Sequence, residues 1–103
     1  MSRVNLEASL PGEDLVTQGL ADLAENRTTD SSLLVLIAAP RLRRLGINVP
    51  DHPSPQPREH ELYAHLEKRL GTGAHSYYNS LIRRIVSYTH ALEREQSRRL
   101  EMD

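Results

Sequence analysis

From Ser76 to Met102 the chain runs for 27 residues without a glycine or a proline. Apolar residues recur there at helical spacing for about four turns and then almost cease. A continuous helix of that length spans roughly 40 Å at 1.5 Å per residue. A globule of 103 residues has a radius of gyration of only about 13 Å. One copy can hardly cover such a helix along its length, so the sequence predicts an element built for assembly or for a partner.

The remaining composition points the same way. The length suits one domain, residues 1–103. A chain this short buries only about two-thirds of its unfolded surface. It has no Phe or Trp, and its four Tyr are Tyr63, Tyr77, Tyr78 and Tyr88. Leu, Ile, Val and Ala must therefore fill a small core, to which oligomerisation would add burial. Absence of Cys excludes disulfides, thiol catalysis and thiolate metal sites. The start, MSRVNLEASLPGED, lacks the apolar stretch of a signal peptide. The longest apolar run, Leu33 to Ala39, is far below the ~20 residues of a membrane span. A soluble cytoplasmic protein that does not enter membranes is the expectation.

Net charge is −1, which gives no bulk attraction to nucleic acid or to anionic lipid. The cations are nonetheless twelve Arg and a single Lys, Lys68. A GC-rich codon bias explains that preference more simply than function does. Residues 1–30 carry a net −4 and residues 31–58 a net +3. The two segments are thus suited to pair, although a solvated surface is the simpler reading.

Periodicity and punctuation divide the chain into an all-α bundle of about five helices, at approximately 11–26, 31–39, 41–45, 57–70 and 75–101. Val4, Leu6, Ala8 and Leu10 alternate strictly, a strand pattern over residues 3–10. Ser9, Pro11, Glu13 and Asp14 look like a capped helix start. Leu15, Val16, Leu20, Leu23 and Ala24 then form one apolar stripe. Gly19 lies on that stripe, where close approach of another helix would justify it. Capping residues precede Leu33–Ala39, a run apolar all round that should be the central core helix. Pro40 ends that helix or opens the next. Residues 46–57 form a Pro-rich connector with polyproline character. Leu62, Leu66 and Leu70 define the fourth helix. Gly71-Thr72-Gly73 stops it, and His75 or Ser76 should cap the long helix, giving an antiparallel hairpin.

On a helical wheel Tyr77, Tyr78, Leu81, Ile82, Ile85, Val86, Tyr88 and Leu92 cover about half the circumference, facing the fourth and second helices. A heptad reading places Tyr78, Ile85 and Leu92 at one seam position and Leu81 and Tyr88 at the other. The next seam residues are Glu95 and Arg99. Residues 93–103 are therefore expected to protrude as a helical tail with Leu100 and Met102 as its apolar anchors. The candidate association surface is Tyr88, Leu92, Glu95, Arg99, Leu100 and Met102.

No catalytic constellation is legible. His60-Glu61-Leu62-Tyr63-Ala64-His65 has one residue more than the zincin motif, so its two His stand about 140° apart on a helix and cannot share a metal. Glu61 and His65 are spaced for a weak helical ion pair. All five His read as surface residues. The Gly71–Gly73 turn before a helix could hold an anion, but it lacks the lysine of a phosphate loop and reads as a hairpin turn. No metal, no cofactor and no enzymatic activity are expected; a small enzyme using His65 or His75 is the weakest of three readings.

The favoured reading is a non-catalytic helical protein acting as adaptor, regulator or subunit, a homodimer or the partner of another helical protein. The alternative is a small nucleic-acid-associated regulator of antitoxin type, using Arg41, Arg43, Arg44 and Arg83. The stretch Ser76–Arg83 resembles the helix start of ribbon-helix-helix antitoxins. In that family a β-ribbon precedes the helix, whereas here a Leu-periodic helix occupies its place, so membership is not assigned.

Overall fold

A computed structural model describes residues 10–52 and 57–102, the last two of these in backbone alone. The described residues hold five α-helices and no strand: α1 Glu13–Ala24, α2 Asp30–Ile37, α3 Ala39–Arg44, α4 Arg58–Leu70 and α5 Ala74–Met102, with a 3₁₀ turn Gly71–Gly73 joining the last two. The expected all-α bundle with a long C-terminal helix is what forms. The strand pattern at residues 3–10 lies outside the described residues except for Leu10.

α2 is the hub. Leu33, Leu34 and Val35 are wholly buried, and α1, α4 and α5 pack around it. Its start is a capping box: the Thr29 hydroxyl accepts from the Ser32 amide at 3.1 Å and the Ser32 hydroxyl accepts from the Thr29 amide at 2.7 Å. Pro40 opens α3 rather than ending α2, sitting in the first turn where its missing N–H leaves no bond unmade. α3 accordingly begins at Ala39, two residues before the expected position.

Two further helix starts differ from the expected capping. α1 begins at Glu13, after Gly12 in the left-handed region at φ +78°; Pro11 lies outside it, and the Glu13 carboxylate accepts from the Leu10 amide at 2.8 Å. α5 begins at Ala74 directly from the 3₁₀ turn, so neither His75 nor Ser76 caps it. A buried Ala74, 1 % exposed, sets the start by packing.

α4 and α5 fold back on one another across that turn, and Tyr63 meets Tyr78 edge-on with centroids 5.5 Å apart. Leu62 and Leu66 of α4 join Leu81 and Ile85 of α5 in one core that also takes in Val16, Leu42 and Val49. The apolar arc of α5 is narrower than the wheel implied, because Tyr77 and Val86 stand 44 % and 43 % exposed. The connector contributes to the core as well: Val49 is buried, and so is His52, which corrects the expectation that every His is a surface residue.

Among the described residues the acids of the first segment find other partners. Asp14 binds Arg84 of α5, Asp22 binds Arg27 and Asp30 binds Arg69 of α4. Arg41 binds Glu93, and Arg43 reaches Asp51. Packing order decides these partners, since α1 lies against α5 and α2 against α4.

Candidate association surface

The molecule measures 47 × 26 × 24 Å, and the 29 residues of α5 account for about 43 Å of the long dimension at helical rise. Core burial follows α5 as far as Tyr88, Thr89 and Ala91, with Leu92 half-buried at its edge. Two contacts then brace the helix against the end of α3. The Arg41 guanidinium meets the Glu93 carboxylate at 2.8 Å, and the Gln96 amide donates to the Leu45 carbonyl at 2.6 Å. Beyond Gln96 the described side chains leave the body: Arg98 and Arg99 are largely in solvent, and Leu100 is 75 % exposed.

The structure separates the six residues of the expected surface. Tyr88 is 6 % exposed and belongs to the chain's own core; burial, with Glu13 nearby, raises its phenol above the usual range. Leu92 packs against the same core from its edge. Glu95 is half-buried and is held within its own helix by Arg98 at 2.6 Å and Arg99 at 3.8 Å. Arg99 and Leu100 are the exposed members, and Met102 is placed in helical backbone.

Tyr88, Leu92, Glu95 and Arg99 nevertheless share one side of α5, and that side opens on a hollow of about 480 Å³ completed by Leu10, Glu13 and Arg98. Sequence reasoning missed these last three. Leu10 sits 78 residues from Tyr88 along the chain, and only the docking of α1 across α5 brings them together. A second hollow of about 740 Å³ shares Leu10, Glu95 and Arg98 and continues along Arg94 and Ser97. Among the described residues the last turns of α5 are thus flanked by concave surface beside Glu95.

The alternative set of arginines is dispersed by the fold. Arg41 is engaged with Glu93. Arg43 donates twice to the Val49 carbonyl, at 3.1 and 2.8 Å, and so ties the connector to α3. Arg44 and Arg83 are exposed and make no ion pair among the described residues. Arg83 lies on the solvent side of α5 with Ser87, His90 and Arg94, all exposed.

His65 and Glu61 approach to 3.5 Å as the spacing suggested, while His75 lies 3.3 Å from Asn79 and pairs with no carboxylate among the described residues. A buried polar node stands nearby. The Asp22 carboxylate, on a residue 3 % exposed, accepts from Thr29 at 2.6 Å, Gln18 at 2.9 Å and Arg27 at 2.9 Å. These bonds, Thr29's foremost, lower its pKa below the ordinary carboxylate value. Every donor there belongs to α1 or to the loop that starts α2, so the node is a clamp between two helices. Among the described residues no three His, Asp or Glu side chains converge as a metal site requires, and no helix is long and apolar enough to cross a membrane. No family model matches the chain, and neither a curated protein nor a solved structure matches it.

Proposed function

We propose that this chain is a non-catalytic helical protein that acts by association, as a homodimer, in an adaptor, regulatory or subunit role. The observation that carries this reading is the last stretch of α5. It holds its helix past the point where the core ends, is braced at Glu93 and Gln96, and carries a large apolar side chain, Leu100, into solvent. An isolated helix end of that kind gains little from its own fold, because most helical stability comes from packing an apolar face. Covering it with a partner supplies that burial. Size-exclusion chromatography with light scattering at micromolar concentration tests the proposal: twice the monomer mass is expected, and a compact monomer removes its main support.

The exposed row Arg83, His90 and Arg94 on the outer face of α5 favours a second reading, a nucleic-acid-associated regulator. Binding to random duplex DNA that weakens steeply with salt would support it. Absence of binding at low salt would end it.

A further inference from the structure

We infer that two copies pair antiparallel through the ends of their α5 helices, with Glu95 of each facing Arg99 of the other. This rests on the homodimer reading and specifies its geometry. At 100° per residue, Tyr88, Leu92, Glu95 and Arg99 fall within an arc of about 60°. The chain's own core covers the first two. Among the described residues the same arc then continues beside the 480 Å³ hollow through half-buried Glu95, which Arg98 and Arg99 of its own helix hold, to exposed Arg99, an acid and a base a single turn apart.

That charge order selects the orientation. A parallel, in-register pair sets like positions against like, so Glu95 meets Glu95 and Arg99 meets Arg99, and both levels repel. An antiparallel pair sets Glu95 against the partner's Arg99 and, by the twofold axis, Arg99 against the partner's Glu95. Both levels then attract. The same register sets Leu92 opposite position 102 of the partner. The facing stretch therefore runs over residues 92–102, about 16 Å of helix; its first turn is braced on the body at Glu93 and Gln96, and the remainder leaves it. Each helix end arrives at the hollow beside the other copy's Leu92, where Leu10 and Glu13 form the far wall.

The chain has no Cys, so single cysteines report the geometry directly. Glu95→Cys and Arg99→Cys proteins, mixed and oxidised mildly, are expected to give a 95–99 cross-linked dimer well in excess of the 95–95 and 99–99 species. In parallel, E95R and R99E should each weaken the dimer by about tenfold, and the double swap E95R/R99E should recover most of that loss. A wild-type dimer that cross-links 95 to 95, or that ignores the charge reversals, overturns the antiparallel pairing and leaves the homodimer reading standing. A wild-type monomer, with its hollow covered by the first nine residues of the same chain or by nothing, overturns both.

Discussion

Gly19 and Asp22 stand one turn apart on α1, and each is decided by what lies opposite it. A Cβ built on Gly19 would sit 2.5 Å from the Ser31 carbonyl oxygen and 2.5 Å from a Val35 methyl. Backbone cannot retreat as a flexible side chain can. Helix propensity alone says that Gly19→Ala stabilises by up to ~1 kcal/mol; the close approach reverses the sign. G19A should destabilise by about 2 kcal/mol, read from urea unfolding midpoints, and a gain in stability would contradict the close approach of α1 to α2. Asp22 makes a different prediction. Its carboxylate is held below the ordinary value of about 3.9, so between the folded and unfolded pKa the unfolded chain binds the extra proton. The stabilisation is complete above the unfolded value and is lost as pH falls through the folded one. Asp22→Asn should unfold at a lower temperature near neutral pH and should lose less further stability than the wild type below about pH 4, as followed by circular dichroism. Gly19 was legible in the sequence, because a glycine on an apolar stripe asks for a neighbour. Asp22 was not: an acid near the end of α1 looks like surface until Thr29 and Arg27 fold over it.

At the scale of elements, periodicity located the helices and local chemistry set their ends. Leu62 and Leu66 and the apolar run of α2 were readable because burial demands them at any tertiary arrangement; Leu70, which continues the repeat, is 41 % exposed at the end of α4. The starts of α1 and α5 were not, since Gly12 and Ala74 are fixed by contacts with other helices. Gly12 carries both a positive φ of +78° and a backbone neighbour, with Arg84 carbonyl oxygen 2.5 Å from a would-be Cβ. Gly12→Ala therefore combines left-handed strain with a clash and should cost about 2 kcal/mol or more in denaturant unfolding. Arg84→Ala, which removes only the exposed pair with Asp14 at 2.8 and 2.9 Å, should cost less than about 1 kcal/mol. Equal costs for the two would mean that the ion pair, rather than the close backbone approach, holds α1 on α5.

For the whole molecule, one core built around α2 serves the body, and α5 serves both the body and what lies beyond it. The long helix was evident from the sequence. So was a change of character after Leu92; the assignment of Tyr88 and Leu92 to the body was not, because seam positions continue in register from the core into the tail, where Glu95 and Arg99 carry the same side on. The bracing by Arg41 and Gln96 was equally hidden, each bond joining residues about fifty apart in the chain. Sedimentation equilibrium of the intact chain beside a chain ending at Leu92 tests this division most directly. The account predicts a dimer for the first across micromolar concentrations, and a folded, helical monomer for the second. An intact chain that sediments as a monomer, or a truncated one that still dimerises, contradicts it.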